Sequence, residues 1–146
     1  MGMLEAARRA KRPQLFDGTL ATSRALLSES CAALGPGPEV GAVSDLKIPA
    51  RGGEISARLF RPKTADRGLI VYLHGGGWVL GTLTDFDALS RTLVARSGCA
   101  LLLVDYRLAP EFHFPAGLED VEDSVLWASA NIRSLIGNEV ALIQGL

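Results

Sequence analysis

Five adjacent residues, His74-Gly75-Gly76-Gly77-Trp78, stand where a polypeptide could do chemistry with its backbone. They follow the apolar run Leu69 to Leu73, which reads as a buried strand, and precede a stretch with helical spacing. Glycine loses more backbone freedom on folding than any other residue, so three in succession are costly to order. The usual reason is that the chain must pass close to a ligand or take dihedral angles closed to other residues. At the carboxyl end of a parallel strand, the N–H groups of such a loop can point at a developing negative charge, as an oxyanion hole requires. A simple flexible turn is the plainer alternative for the glycines taken by themselves.

A second motif, Asp105-Tyr106-Arg107-Leu108-Ala109-Pro110-Glu111, begins as the next apolar run, Ala100 to Val104, ends, and Phe114-Pro115-Ala116 follows it at a helix start. Together the two motifs, over Leu69 to Trp127, resemble the hormone-sensitive-lipase-type family of bacterial esterases and lipases within the α/β-hydrolase fold. The resemblance implies a carboxylic-ester hydrolase working by serine acyl transfer on a small ester or acyl substrate, with no metal or organic cofactor. It implies that Gly76 and Gly77 are the oxyanion-hole donors, that Gly75 shapes the loop and that His74 braces it. It also implies a structural brace made of Asp105, Tyr106, Arg107, Pro110 and Glu111, which we read as a buried ion-pair network rather than as catalytic groups. Trp78 is expected either near the acyl or alcohol pocket or in the core. The chain departs from the family at Pro110-Glu111-Phe112-His113-Phe114-Pro115, where the usual pattern is Pro-Glu-His-Pro-Phe-Pro. His113 is thus displaced by one position and reads as a surface histidine.

In this fold the nucleophile sits on a Gly-x-Ser-x-Gly turn, followed in the chain by an acid and then a histidine. Val140 to Leu146 stands where the strand into that turn belongs, and if Gly145 is its first glycine the serine would be the residue after Leu146. No Gly-x-Ser-x-Gly occurs in the 146 residues, and Ser90, Ser97, Ser124, Ser129 and Ser134 lie in helical stretches or at their ends. The chain therefore reads as the N-terminal part of the fold, without a triad. Removing a whole triad costs about 10⁶ in kcat in a well-studied serine hydrolase, so the chain alone is expected to be inactive. The predicted strand Val140 to Ile143 would leave an apolar edge for a second copy, a complementing chain or aggregation to cover. A non-catalytic protein that binds a ligand or partner with this half-site is the alternative from a different class.

The elements that must position these residues follow from periodicity. Residues 1–34 read as two helices, with Pro13 interrupting the first stretch and Leu15, Leu20, Leu26, Leu27 and Leu34 as buried contacts. Gly35-Pro36-Gly37-Pro38 is a linker, giving N-terminal cap helices over 1–38 and an incomplete hydrolase core over 39–146. The resemblance places the family's substrate-choosing cap on the N-terminal helices. Ser44 to Pro49 and Glu54 to Arg61 alternate as a hairpin around Arg51-Gly52-Gly53, with Ile55, Ala57 and Leu59 on one face and Ser56, Arg58 and Phe60 on the other.

Beyond the hairpin, apolar runs alternate with helical stretches, the pattern of a mostly parallel sheet with crossover helices. Thr84 fits a helix N-cap closed by Asp87, with Phe86, Leu89 and Leu93 on the apolar face and Gly98 as the stop. A second helix from about Pro115 carries Leu118, Val121, Val125, Ala128, Ile132 and Leu135 at helical spacing up to Gly137-Asn138. The fold class is α/β, the N-terminal part of an α/β-hydrolase.

Charge and composition remove other classes. Lys plus Arg number 15 against 16 for Asp plus Glu without long blocks, so no footprint for nucleic acid or an anionic membrane is visible. The basic cluster Arg8, Arg9, Lys11 and Arg12 reads as a solvated helix face. Two cysteines, Cys31 and Cys99, cannot make a disulfide framework and read as reduced, packed thiols. No His, Cys or Asp cluster has metal-ligand spacing. The N-terminus lacks the apolar core of a signal peptide, no run approaches a membrane span, and Ala6 stands where a myristoylation signal following Gly2 needs Ser or Thr. The expected location is cytoplasmic.

Overall fold

A computed structural model of the chain describes residues 18–64, 67–137 and 142–145, the last stretch by its backbone. Helix α1 (Leu20–Ala32) precedes the hairpin β1 (Ala42–Ala50) and β2 (Gly53–Arg61). There follow β3 (Leu69–Leu73), α2 (Asp87–Ser97), β4 (Ala100–Asp105), α3 (Ala116–Ala130), α4 (Ile132–Ile136) and β5 (Leu142–Gly145). The strands form one sheet in the order β1-β2-β4-β3-β5. The hairpin is antiparallel, β2 runs antiparallel to β4, and β3 is parallel to both β4 and β5. This is the expected α/β sheet with a leading hairpin.

Strand β4 is apolar from Ala100 to Val104 because both of its faces are covered there. Ala100, Leu102 and Val104 join Ile48, Ile55, Ala57, Leu59, Leu69 and Val71 under Ala128 of α3 and Leu135 and Ile136 of α4. Leu101 and Leu103 point the other way and pack with Phe60 against Val94 of α2. The alternation read for β2 therefore holds on both faces. Residues such as Leu102, fully buried at the middle of the sheet, each contribute roughly 1.5–3 kcal/mol through removal of apolar surface from water.

Several local expectations fail for identifiable reasons. Thr84 and Asp87 do not cap α2: the helix starts at Asp87, and Phe86 before it supplies no side-chain cap. The Asp87 carboxylate instead accepts from Arg91 one turn on and from Arg58 of β2 at 3.2 Å, and cationic donors hold a carboxylate more strongly than a neutral amide does. Leu89 is exposed, and the buried face of α2 carries Ser90 and Val94. Gly98 does end the helix, in the left-handed conformation. The long second helix is broken at Asn131, whose side-chain amide donates to the Trp127 carbonyl at 2.8 Å and competes with the backbone ladder. Leu118, which helical spacing groups with Val121, Val125 and Ala128, is exposed, and the buried stripe of α3 is Gly117, Asp120, Ser124 and Ala128. The last strand is described over Leu142–Gly145, at the edge of the sheet; Val140, Ala141 and Leu146, which the sequence reading included in it, lie outside the described residues. So do the first predicted helix, Pro13, Leu15 and the basic cluster at Arg8 to Arg12.

The described part of the N-terminal stretch is a single helix held mainly by polar contacts. Leu20, Leu26 and Leu27 are half-buried, Leu34 beyond the helix is exposed, and Ser23 is the buried residue of α1. Arg24 fixes the helix to two loops: Nε donates to the Val79 carbonyl at 2.9 Å, Nη2 to the Ala109 carbonyl at 3.2 Å, and the two Nη groups to the Glu111 carboxylate at 2.6 and 2.8 Å. At the hairpin turn, Arg51 binds Asp123 of α3 through its amide and its guanidinium. After β4, Arg107 donates from its amide at 2.9 Å, and from Nε and Nη2, to Asp120 of α3, which is 1% exposed.

Hydrogen bonding to Arg24 holds the Glu111 carboxyl at about 2, well below the usual glutamate range. Its folded-state value is depressed, so the pair's contribution to seating α1 is complete above the usual range and is lost as pH falls through about 2. A carboxyl-carbon NMR titration should find Glu111 near that value, and Arg24→Ala should return it to the ordinary range. Asp120→Ala would strip the partner from the Arg107 amide and guanidinium. It should lower unfolding free energy by about 2–4 kcal/mol in a denaturant titration.

Candidate active site

The glycine loop leaves the carboxyl end of β3 and is gripped at its first residue. His74 is 3% exposed, with its ring stacked on Tyr106 at 4.5 Å and 18° and on Phe86 at 5.0 Å and 20°. Its carbonyl accepts from the Tyr106 hydroxyl, and its Nδ1 donates to the Gly75 carbonyl at 3.0 Å. Nε2 is buried without a partner among the described residues. A side chain at Gly81 would put its Cβ 2.4 Å from Nδ1, so glycine there is what lets the imidazole fill its slot. Gly81 carries no role in the sequence reading, and Phe86 appears there only on the apolar face of the helix after the loop, not as a partner of His74. A lone glycine four residues past the glycine run was the available signal for the first.

Within the loop, Gly76 has φ 135°, and a Cβ there would lie 2.1 Å from the Leu80 carbonyl oxygen. Its own carbonyl accepts from Val79 N at 3.2 Å and Leu80 N at 3.1 Å, which makes a tight turn. Gly77 has φ 62° and open space where a Cβ would stand. Among the hydrogen bonds of the described residues, the N–H groups of Gly76 and Gly77 donate to none. Two successive amides thus remain available at the end of a buried strand, as donors to an anionic oxygen require.

Trp78 follows in the left-handed region at φ 65°, a conformation that costs a residue with a side chain roughly 1–2 kcal/mol. Its indole meets the Tyr106 ring edge-on at 5.3 Å, its carbonyl accepts from Ala109 N at 2.8 Å, and it is 49% exposed. The core position left open for it is therefore not the one it occupies. With the exposed Phe112, Phe114 and Leu118 it lines an apolar hollow of about 310 Å³.

The residues of the second motif do not form one buried ion-pair network. Tyr106 contributes its hydroxyl and ring to His74, and Arg107 and Glu111 belong to separate ion pairs, with Asp120 and with Arg24. Glu111 is exposed, and Pro110 continues the loop through a cis peptide bond with Ala109. Asp105 accepts no side-chain hydrogen bond from the described residues. Burial pushes its carboxyl up, against the opposing pull of His74, Lys47 and Arg58. The two partners that sequence reasoning missed, Asp120 and Arg24, each look like one polar residue on a solvated helix. Only the buried small residues Gly117, Ser124 and Ala128 around Asp120 betray its face.

His113 is exposed, as expected. Ser90 and Ser124 are fully buried, with hydroxyls that have no partner among the described residues, Ser97 accepts from Cys99 N, Ser134 donates to the Asn131 carbonyl, and Ser129 is exposed. Among the described residues none of these hydroxyls bonds to a histidine or carboxylate, the arrangement an activated nucleophile needs. Cys31 and Cys99 are both free thiols. No group of three or more His, Cys, Asp or Glu among the described residues could hold a metal, and no described helix is long and apolar enough to cross a membrane.

Comparison with known proteins agrees with this geometry. A family profile described as alpha/beta hydrolase fold matches residues 70–143. The chain is 43% identical over 123 residues to carboxylic ester hydrolase LipN of Mycobacterium tuberculosis, covering 83% of this chain and 32% of that protein. It is 37% identical over 113 residues to an arylesterase of Saccharolobus solfataricus, covering 77% of this chain and 37% of the relative. A solved esterase of Pyrobaculum calidifontis superposes with a TM-score of 0.82 at 34% identity, over 99% of this chain and 48% of that structure. The chain thus spans about a third of the length of these curated relatives and about half of that structure. The loop that leaves β3 and the sheet that carries it are accordingly those of a known architecture, and this chain belongs to the α/β-hydrolase fold family.

Proposed function

We propose that this chain supplies the oxyanion-hole half of a carboxylic-ester hydrolase of hormone-sensitive-lipase type, acting by serine acyl transfer. The observation that carries the reading is the pair of unengaged amides at Gly76 and Gly77, on a loop whose first residue is clamped by Tyr106 and Phe86. In the reaction, a serine Oγ attacks the ester carbonyl while a histidine takes its proton, and the carbonyl oxygen gains charge. The Gly76 and Gly77 amides then stabilise that charge without having to reorganise. The apolar hollow beside Trp78 receives the acyl or alcohol part of the ester. His74, buried against two rings with its Nδ1 on the Gly75 carbonyl, holds the loop in place and is not the base.

The nucleophile, acid and base belong to a segment outside these 146 residues, joined to the chain or supplied by a complementing polypeptide. The register of β5 supports this: Gly145 lies opposite Tyr72, so β5 ends beside the strand that delivers the glycine loop. Without that segment the chain has no useful turnover. A cytoplasmic location belongs to the same reading, supported by the two free cysteines.

Hydrolysis of a short-chain chromogenic ester tests the proposal directly. The 146 residues alone should show no turnover, and joining or co-expressing the segment with the triad should produce it. In that active form Gly76→Ala, whose methyl collides with the Leu80 carbonyl, should lower kcat by about 10²-fold or more. Gly77→Ala meets open space and should cost less. Strong turnover by the 146 residues alone would mean that they contain a nucleophile after all. Ligand-induced stabilisation with no turnover in either form would favour a binding protein.

A further inference from the structure

Arg24 has five N–H donors in a rigid planar fork, and the structure places them on both loops of the site. Nε reaches the Val79 carbonyl at 2.9 Å, inside the turn in which Val79 N and Leu80 N bind the Gly76 carbonyl. Nη2 reaches the Ala109 carbonyl at 3.2 Å, and Ala109 N in turn donates to the Trp78 carbonyl at 2.8 Å. The remaining donors engage Glu111 through both carboxylate oxygens. One guanidinium on α1 therefore closes a ring that runs from the Gly76 turn, through Trp78 and Ala109, and back to itself.

An exposed ion pair would not by itself justify such an arrangement, because pairs of this kind typically contribute little to stability. The two carbonyls are the informative partners. They belong to the residues that flank Trp78 and to the loop bonded to it, and no other side chain of the described residues donates to either. The glycines themselves offer no side chain by which their turn could be held from above.

We infer that Arg24 is a positioning residue for the oxyanion loop: by bridging the Val79 and Ala109 carbonyls it couples the seating of α1 to the placement of the Gly76 and Gly77 amides. This rests on the ester-hydrolase reading for its kinetic consequence, but not for its geometric one. Glu111 serves to orient the guanidinium. The carbonyl bonds set the loop.

The distinction gives an ordered prediction in the active form of the full chain. Arg24→Ala should lower kcat by between about tenfold and about a hundredfold with little change in KM, the cost of a small misplacement of catalytic groups. Arg24→Lys should behave almost as badly, because a single ammonium cannot span both carbonyls and the carboxylate. Glu111→Gln keeps the guanidinium on both carbonyls and should stay within about twofold of the parent. An ion pair that merely adds stability predicts equal effects for Arg24→Ala and Glu111→Gln, and that result overturns the proposal; so does an unchanged kcat in Arg24→Ala.

Should Arg24→Ala fail to fold, the comparison of Arg24→Lys with Glu111→Gln decides alone. Amide hydrogen exchange supplies a readout independent of catalysis. Exchange at Val79, Leu80 and Ala109 should quicken by about tenfold or more in the Arg24 variants while Leu101 and Leu103 of β4 keep their protection. Unchanged exchange at the first three, or an equal rise in β4, refutes the positioning role even if the parent proves to hydrolyse no ester.

Discussion

A run of three glycines has no side chains with which to define its own shape, so the geometry of residues 75–77 must be imposed by what surrounds them. That constraint accounts for most of what is unusual nearby. His74 is buried before the run, with its carbonyl bonded by Tyr106 and its ring held between Tyr106 and Phe86. Trp78 anchors the other end, with its carbonyl on Ala109 N and its indole edge on the same tyrosine. Tyr106 therefore touches both ends of a segment that cannot hold itself. Gly81 is small because the imidazole needs the space.

The sheet makes this arrangement possible. Parallel neighbours β3 and β4 end side by side, Leu73 opposite Val104, so His74 and the Asp105–Tyr106 pair emerge at the same edge from strands separated in sequence by a whole helix. A parallel pair needs a crossover, and α2 provides it by covering the face that carries Leu101 and Leu103. On the other face α3 comes close enough for Asp120 to reach the Arg107 amide because the stripe it presents is Gly117, Ser124 and Ala128. A Cβ at Gly117 would lie 2.6 Å from the Arg107 carbonyl oxygen, which shows how tightly that end of the helix is drawn to the loop.

What could be read beforehand divides along the same line. Strand β4 is legible because burial on both faces leaves an uninterrupted apolar run from Ala100 to Val104, β3 because its apolar run alternates buried with half-buried residues, and the hairpin because one face is dry and the other largely wet. The glycine loop was legible because its cost demands a reason. The cap of α2 was misread because Asp87 found its cations on β2 and one turn ahead, and the β2 partner is invisible to a local rule. Leu118 was misread because helical spacing marks an apolar stripe but does not say whether that stripe faces the core or a hollow beside the loop. Arg24 was missed for the most general reason. Its acceptors lie 55, 85 and 87 residues away, two of them are backbone carbonyls, and a carbonyl has no residue type to recognise.

Trp78 shows how a local penalty can serve the larger arrangement. A glycine at this position would relieve the left-handed backbone, yet it would also remove the only indole facing the hollow of Phe112, Phe114 and Leu118 among the described residues. The reversed backbone lets one residue give its carbonyl to Ala109 and its ring edge to Tyr106, with about half of its surface left open. Those contacts offset a strain of roughly 1–2 kcal/mol that no ordinary turn would retain. An apolar side chain kept half-exposed at such a cost, next to two unengaged amides, places an oily surface and a pair of backbone donors within one loop. The ester we propose as substrate presents the complement of both.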